Sequence, residues 1–548
     1  MAGAGAGPSV GPRGRAVALL LVALILAFSA WLRAPGLRQS GFASHDAAGI
    51  TYNAMLLDEG ELPYVASVEL KAPGAFYVAW ALRPAADLDA GAKVDARLAR
   101  GSLWVERLQR AANLWAWLAL LLLAFTAWRH FGPVAAVAAA LVMATHDAWL
   151  DSIDANYVTW ANGFSVGALA LGLEALRSSR DSRWRRAAGA WFGAGLAMGL
   201  AAMCKRPVGV GAVALIGAAF VWGAGGQGTK RSVRRLRAMT ALAVGLSFSQ
   251  LPVALHYAAK GQLGAFIDGY LLNRWGADYL SARHPEGVEA LREGVAATWH
   301  FLGPPLVGAL VLGLIHRRRE GSMDPRLGLS WVWLAVSLLA TAVGFRFYKG
   351  YFVPVLPPLA LLVGAAVAGA VARLRQSSTG ARVVVVVCGL VLAVGLGRGI
   401  SEGLSVRRDR MHPHDAGGRA ISAHINPRLA EGDRVWVWGW HLWDVYTFSG
   451  ARSGSAIYKS LGLLTPPNDD TWRTPGSPLR FVDGPNAERL LEELEGQPPR
   501  WVVLGSSVPA AEFGALQAFL RRKYKRDRSL RLGRVQFWLR RDTPPTPH

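Results

Sequence analysis

Long runs of apolar residues, separated by short polar segments, recur from about residue 16 to about residue 400 and then stop. A helix needs about 20 mostly apolar residues to span roughly 30 Å of hydrocarbon. The pattern therefore predicts a polytopic α-helical membrane protein with about eleven transmembrane helices. The predicted spans are 16–33, 111–129, 132–148, 157–176, 187–203, 208–224, 238–258, 299–315, 327–345, 352–372 and 382–400.

Beyond residue 400 the pattern changes to short apolar runs that alternate with amphipathic runs. Runs such as DRVWVWGW, RWVVLG and RVQFWLRR are typical of strands, whereas AERLLEELEG and PAAEFGALQAFLRRKYKR are typical of helices. This alternation predicts a small C-terminal α/β domain. The predicted domains are a disordered tail at 1–15, a membrane domain at 16–400 with a large first outer loop at 34–110, a linker at 401–414, the α/β domain at 415–541 and a disordered tail at 542–548.

Lysine and arginine gather on one side of the predicted membrane. About twenty of them lie before the first span and after every second span, with only Asp181, Glu320 and Asp324 as acids. By the positive-inside rule, the N terminus is cytoplasmic and the first outer loop and the C-terminal domain are extracytoplasmic. These signals supply most of the formal net charge of +23, so the charge does not call for a nucleic-acid partner.

Composition excludes two kinds of cysteine chemistry. Hydrophobic residues make up 52% of the chain, and its only two cysteines, Cys204 and Cys388, lie far apart within or beside predicted spans. This excludes a disulfide framework and a cysteine metal site.

The first outer loop carries the strongest candidate chemistry. Asp46 follows the first span closely, in SHDAAGITYNAML, whose apolar spacing predicts a helix. A carboxylate near the membrane is costly unless it is paired or used, although Asp46 would also serve as the N-cap of that helix. Lys71, in ELKAPG, precedes a proline that holds the chain extended. Its charge suits a phosphate, or it reaches toward lipid headgroups.

Further cations lie in the later outer loops, against the general trend of the chain. Arg206 follows Lys205 in CKRPVG, and Arg346 and Lys349 lie in GFRFYKGYF. Arginine can bind two phosphate oxygens at once, so Arg206, Arg346 and Lys349 join Lys71 as predicted phosphate contacts. The predicted substrate contacts, also from the outer loops, are Tyr52, Tyr64, Glu69, Asp154 and Tyr351.

Other motifs give weaker evidence for a functional site. Asp87 and Asp89 form a DxD-like pair, but a solvated loop explains them better. His412 and His414 lack further ligands at regular spacing, and a lone His45 is more simply solvated. The tryptophans of WVWGWHLWDVY suit a core and would also stack on sugars.

These features together resemble the GT-C membrane glycosyltransferases, in particular the bacterial branch related to protein O-mannosyltransferases and lipid A aminoarabinose transferases. The resemblance rests on the first-loop stretch around Asp46 and Lys71 and on GLAMGLAAMCKRPVG, RFYKGYFVPVLPPLALL and DRVWVWGWHLWDVYTFSGARSGSAIY. Asp46 matches the first-loop acid of the family, and Lys71 matches the lysine of its Lys-Pro-Pro element. Here the acid pair Asp-Glu reads Asp46-Ala47, and the lysine element reads Lys-Ala-Pro-Gly.

The resemblance implies a GT-C fold in a bacterial inner membrane and transfer of a sugar, with inversion, from a polyprenyl-phosphate donor. The implied acceptor is a hydroxyl of a glycolipid, glycan or protein outside the cytoplasm, with Asp46 as general base. The expected partners are this donor, this acceptor and membrane lipids, with no nucleic acid. No cofactor is certain, and a divalent metal is left open. The alternative activity is a transporter or flippase for lipid-linked sugars, which would also place cations near phosphate.

Overall fold

A computed structural model gives the structure of the chain. It describes residues 11–39, 41–42, 45–85, 93–150, 152–223, 229–276, 287–320, 324–373, 379–410, 416–439, 442–459, 463–465, 481–505 and 510–541. The weaker predictions at Asp87, Asp89, His412 and His414, and the C-terminal tail at 542–548, lie outside these residues.

Helices dominate the described chain. In order they are α1 Pro12–Arg38, α2 His45–Asp58, α3 Gly74–Ala81, α4 Lys93–Phe131, α5 Pro133–Asp147, α6 Tyr157–Arg180, α7 Trp184–Cys204, α8 Gly211–Trp222, α9 Thr229–Ala259, α10 Leu263–Phe266, α11 Val288–Glu320, α12 Pro325–Thr341, α13 Leu356–Arg373, α14 Thr379–Asp409, α15 Ala416–Ile425, α16 Asp444–Ser449, α17 Pro485–Gly496 and α18 Gly514–Lys523. Short 3-10 segments at Arg206–Val210 and Lys349–Val355 precede α8 and α13.

Seven helical segments among the described residues are long and apolar enough to cross a membrane. They are Pro12–Arg38, Ala96–Phe131, Trp184–Cys204, Arg231–Ala259, Val288–Leu314, Lys349–Ala372 and Arg382–Asp409. Three predicted spans fall on shorter apolar helices, and the span predicted at 157–176 falls on α6. The chain is thus a multi-pass membrane protein, while the count of eleven spans stays a prediction.

Two predicted boundaries are wrong at the level of local structure. Pro12 to Arg15, predicted to belong to a disordered tail, already form the first turn of α1, and proline is well tolerated there. Helix α14 continues to Asp409, through most of the segment predicted as a linker. No proline interrupts the sequence between the predicted span and Pro413, so the helix has no strong stop signal there.

The chain divides into two compact units. The first comprises 1–37, 111–253 and 285–411, and the second comprises 38–110, 254–284 and 412–548. The second unit therefore gathers three separate stretches, among them the first outer loop and the C-terminal region. Below we call them the membrane unit and the outer-loop unit, for the segments each contains.

The C-terminal region of the outer-loop unit forms a five-stranded mixed sheet. Its strands are β1 Arg434–Trp438, β2 Arg452–Ser453, β3 Trp501–Leu504, β4 Tyr524–Asp527 and β5 Gln536–Arg540, in the order β2-β1-β3-β5-β4. The α/β character predicted from the sequence is confirmed. The three strands and two helices expected there form as β1, β3, β5, α17 and α18, while Tyr524 to Arg526, predicted as helix, belong to β4.

The central strands explain why this sheet is stable. Strands β1 and β3 pair in parallel, with Val435 opposite Trp501 and Trp438 opposite Leu504. A parallel strand covered on both faces reads as a continuous apolar run, as VWVW and WVVL do. Trp436, Trp438 and Trp501 are almost completely buried there, so these three tryptophans belong to the core.

Candidate active site

Helix α2 carries Asp46 in its first turn. A carboxylate at this end of a helix interacts favourably with the helix dipole. Most of the helix is buried, and Thr51 and Asn53 return hydrogen bonds to backbone carbonyls one turn earlier. The side chain of Asp46 stays 37% exposed, so the helix holds a carboxylate at the surface of the outer-loop unit.

Lys71 lies in the segment between α2 and α3. Pro73 immediately precedes α3, and proline at this position favours extended backbone before it. The amide of Lys71 donates to Glu69 Oε1 over 3.0 Å. Its carbonyl accepts from the Tyr64 hydroxyl over 2.6 Å. Hydrogen bonds on both sides of the residue therefore fix the backbone of Lys71.

The structure brings Asp46 and Lys71 together. Lys71 Nζ lies 3.9 Å from Asp46 Oδ1, and the lysine side chain is 38% exposed. A pair at this distance and exposure contributes at most about 1 kcal/mol to stability. Such a contact gives way easily when a substrate offers its own charge or hydroxyl.

Beneath this pair, Glu69 is completely buried and is the hub of a hydrogen-bond network. Its carboxylate accepts the amides of Leu70 and Lys71 over 2.7 and 3.0 Å. The Tyr458 hydroxyl and the Lys459 ammonium donate to it as well. Burial raises the pKa of Glu69, but the Lys459 charge and these hydrogen bonds outweigh burial and hold that pKa below its usual value. Glu69 is therefore ionised.

Asn53 ties α2 to this network. Its amide nitrogen donates to Glu69 over 3.0 Å and to the Tyr458 hydroxyl over 3.2 Å, and its oxygen accepts from Ser67 over 2.6 Å. Every member of this set is buried. The helix that carries Asp46 and the segment that carries Lys71 thus share one rigid support.

Three predicted substrate contacts belong to this support. Tyr52 is buried, with its ring 4.4 Å from the ring of Tyr458, and its hydroxyl accepts the amide of Ser453. Tyr64 is buried with φ of 68°, a value that bulky residues seldom adopt. Together with the buried Glu69, these residues are better suited to positioning than to the direct substrate contact expected from the sequence.

The remaining predicted residues belong to the membrane unit. Asp154 is buried, and its carbonyl accepts from Thr159. Lys205 lies over the ring of Tyr351, with its ammonium 4.4 Å from the ring centre. Arg206 and Lys349 each begin a 3-10 segment. The phosphate contacts predicted for Lys71, Arg206, Arg346 and Lys349, and the substrate contacts predicted for Asp154 and Tyr351, stay predictions.

Arg346 lies in a strained turn. Its neighbours Phe345 and Phe347 have φ of 51° and 45°, next to Gly344 at 75°. The arginine itself is buried to 5% exposure. Backbone strain of this kind concentrates at binding and catalytic sites, which supports a functional interpretation of Arg346.

Sequence reasoning missed Tyr458 and Lys459. They follow β2 in SGSAIYKS, a stretch with no motif that suggests chemistry. Glu69 and Lys459 are 390 residues apart, so no local pattern could have joined them. Among the described residues, no group of three or more His, Cys, Asp or Glu could hold a metal ion.

In sequence comparisons, no family profile and no curated protein matches this chain. Solved structures do match it. ArnT from Cupriavidus metallidurans bound to undecaprenyl phosphate has a TM-score of 0.60 at 15% identity, covering 96% of this chain and 98% of that chain. The apo form of ArnT gives a TM-score of 0.58 at 14% identity, with the same coverage.

An archaeal structure matches as well. The oligosaccharyltransferase AglB from Archaeoglobus fulgidus, in complex with an inhibitory peptide and a dolichol-phosphate, has a TM-score of 0.52 at 12% identity. The match covers 98% of this chain and 75% of AglB. Likeness at such low identity establishes architecture and not activity. This chain therefore has the GT-C fold that ArnT and AglB share.

Proposed function

We propose that this protein is a membrane glycosyltransferase that moves a sugar from a polyprenyl-phosphate donor to a hydroxyl acceptor. The observation that carries the proposal is the exposed pair of Asp46 and Lys71, 3.9 Å apart, in a chain with the GT-C fold. The solved ArnT was bound to undecaprenyl phosphate, and the solved AglB was bound to a dolichol-phosphate. A lipid phosphate donor is the ligand class common to both.

The reaction needs one acid and one cation in fixed positions. The acceptor oxygen forms a bond to the anomeric carbon while the bond from that carbon to the phosphate oxygen breaks, which inverts the sugar. Asp46 takes the proton that the acceptor hydroxyl loses, as a general base. The polyprenyl phosphate leaves with the bonding electrons, and the Lys71 ammonium stabilises its growing negative charge.

The same proposal assigns the remaining cations to the donor. Arg206, Arg346 and Lys349 are assigned to its phosphate. This assignment is supported by their charge, by the preference of arginine for phosphate oxygens and by the strained turn at Arg346. The acceptor is a glycolipid, a glycan or a protein.

The proposal also fixes the side of the membrane. The N terminus lies in the cytoplasm of a bacterial cell, and the outer-loop unit lies outside the inner membrane. The excess of lysine and arginine in alternate segments between predicted spans supports this orientation.

Deletion of the gene tests the proposal. Mass spectrometry of the deletion strain should find one polyprenyl-linked sugar accumulated and one sugar-modified envelope product lost, and wild-type protein should restore both. The Asp46→Asn variant should restore neither, although it accumulates normally in the membrane. Restoration by Asp46→Asn would contradict the assignment of the base and would favour transport of a lipid-linked sugar.

A further inference from the structure

We infer that Lys459, from the C-terminal region, is a positioning residue of the candidate active site: through Glu69 it holds Asp46 and Lys71 in place. This inference rests on the proposed function. It makes the C-terminal region a working part of the site and not a separate appendage. Lys459 and Tyr458 are both buried and both donate to Glu69, so the inference has them act through Glu69.

The backbone next to Lys459 is firmly anchored. The amide of Val68, one residue before Glu69, donates to the carbonyl of Ala456 over 2.8 Å. On the sheet side, Trp436 Nε1 donates to the carbonyl of Ile457 over 3.0 Å. The segment before Lys459 is thus bonded both to β1 and to the backbone beside Glu69.

Charge explains why Lys459 matters. Glu69 is completely buried, and an ionised carboxylate in that environment is costly without a bonded counter-charge. Lys459 is itself only 6% exposed and donates directly to this carboxylate. Removal of the ammonium would leave Glu69 buried without that partner and would favour its protonated form.

Protonation of Glu69 would weaken the hydrogen bonds that hold Asp46 and Lys71 in place. A carboxylate accepts both the Leu70 and the Lys71 amides on one oxygen, whereas a protonated carboxyl is a weaker acceptor. The amide of Asn53, which joins α2 to the network, also donates to Glu69. The charge of Lys459 therefore controls how firmly Lys71 and the helix of Asp46 are held.

A purely structural ion pair would predict something else. If Lys459 only stabilised the fold, activity in a Lys459 variant would follow the stability of that variant at every pH. A positioning role predicts that activity and stability respond to pH in opposite directions. The titratable groups that face Glu69 are Lys459, Tyr458 and Lys71, and those that face Lys459 are Glu69, Lys71 and Asp46.

The burial of Glu69 decides in which direction stability and transfer rate change with pH. In the Lys459→Met variant, burial is the largest influence left, so the pKa of Glu69 in the folded state rises above its unfolded value. Stability from protonated Glu69 is then present at low pH and is lost as the pH rises through the raised pKa. Positioning needs ionised Glu69, so sugar transfer by the folded fraction should increase over the same rise in pH.

The experiment compares full-length variants purified in lipid nanodiscs. Transfer rate and thermal unfolding are measured between about pH 5 and about pH 9. At neutral pH, Lys459→Met should lower the rate by about 10-fold to 100-fold, with the rate recovering as stability falls. Lys459→Arg, which keeps the charge, should give the same pH profile as the wild type. The double variant Glu69→Gln with Lys459→Met removes both charges, so it should fold and show no pH response from this pair.

A matched control lies in the same region. Arg428 forms an ion pair with Asp527 of β4 over 2.7 Å, and the arginine side chain is 38% exposed. Arg428→Met should lower stability and leave the pH profile of transfer unchanged. If Lys459→Met behaves like Arg428→Met, or if its activity simply follows its stability, the positioning role is wrong.

Hydrogen exchange separates this inference from the proposed function. The peptide covering residues 64–74 should exchange faster in Lys459→Met than in the wild type, and Arg428→Met should leave it protected. Faster exchange with no sugar transfer by the wild-type protein would reject the glycosyltransferase and retain the positioning role. Transfer by the wild type with unchanged exchange in Lys459→Met would do the reverse.

Discussion

At the scale of single residues, the weakness of the Asp46 and Lys71 contact suits the proposed catalysis. The two charged atoms lie 3.9 Å apart with more than a third of each side chain exposed. A shorter, buried pair would have to be broken before either group could act. The buried ion pair of the candidate site is instead the one between Glu69 and Lys459.

Replacement of Asp46 by asparagine should abolish catalysis without unfolding the protein. The amide keeps the shape of the side chain but cannot accept a proton from the acceptor hydroxyl. We expect the transfer rate to fall by about 100-fold to 10,000-fold and the free energy of unfolding to change by less than about 1 kcal/mol. Transfer assays and thermal unfolding of the purified variant measure the two effects.

Asp181 offers the matched control for that variant. It is also a surface aspartate paired with an arginine, and its side chain is 39% exposed. Asp181→Asn should keep full activity. An equal loss in both variants would mean that general loss of surface charge, and not loss of the base, lowers the rate.

Replacement of Lys71 by alanine should affect the donor more than the acceptor. The ammonium is proposed to stabilise the leaving phosphate, so kcat/KM for the lipid donor should fall by about 100-fold to 1,000-fold. KM for the acceptor should change little. Lys525, an exposed residue of β4, gives the control Lys525→Ala, which should leave both constants unchanged. Equal effects of Lys71→Ala on donor and acceptor would argue against a phosphate contact.

At the scale of elements, hydrogen bonds hold the segment between α2 and α3 in place. Tyr64 adopts a strained backbone conformation. Its hydroxyl donates to the carbonyl of Lys71 over 2.6 Å. Loss of this hydroxyl in Tyr64→Phe should cost about 1 kcal/mol of unfolding free energy. It should also slow transfer roughly tenfold, because Lys71 is less well placed.

A buried tyrosine elsewhere in the same unit separates these two effects. The hydroxyl of Tyr524 donates to the carbonyl of Pro499 over 2.7 Å, within the C-terminal sheet region. Tyr524→Phe should lose similar stability and keep the transfer rate. A rate unchanged in Tyr64→Phe would show that this bond does not position Lys71.

Elements with a local signal could be predicted from the sequence. The helical spacing of SHDAAGITYNAML predicted α2, and the apolar runs of the tail predicted β1, β3 and β5. Strand β2 escaped prediction because it has only two residues. It forms because β1 already offers a sheet edge, which is tertiary information.

Long-range contacts could not be predicted. Asp46 and Lys71 could be predicted as candidates because each lies in its own short motif. Lys459 lies in no such motif, and its proposed positioning role follows only from the burial of Glu69. The general lesson is physical: sequence patterns report on exposure and periodicity, whereas the partner of a buried charge is chosen by the fold.

At the scale of the whole molecule, the orientation in the membrane can be tested by labelling. Among the described residues, the two native cysteines, Cys204 and Cys388, are both buried and should react slowly. In spheroplasts, a membrane-impermeant maleimide should label Glu431→Cys at once and Asp181→Cys only after permeabilisation. Both positions are exposed. The reverse order of labelling would invert the proposed topology and move the candidate site to the cytoplasm.

The turn around Arg346 has a consequence for how this protein could be evolved in the laboratory. Phe345 is 40% exposed yet adopts φ of 51°, a conformation that costs a side-chain-bearing residue about 1 to 2 kcal/mol. Glycine would remove that cost and lose little buried surface. Variants selected only for heat resistance should therefore accumulate glycine at Phe345, whereas variants selected for sugar transfer should retain phenylalanine. A difference between the two populations would show that the strained backbone at Phe345 is retained because sugar transfer requires it.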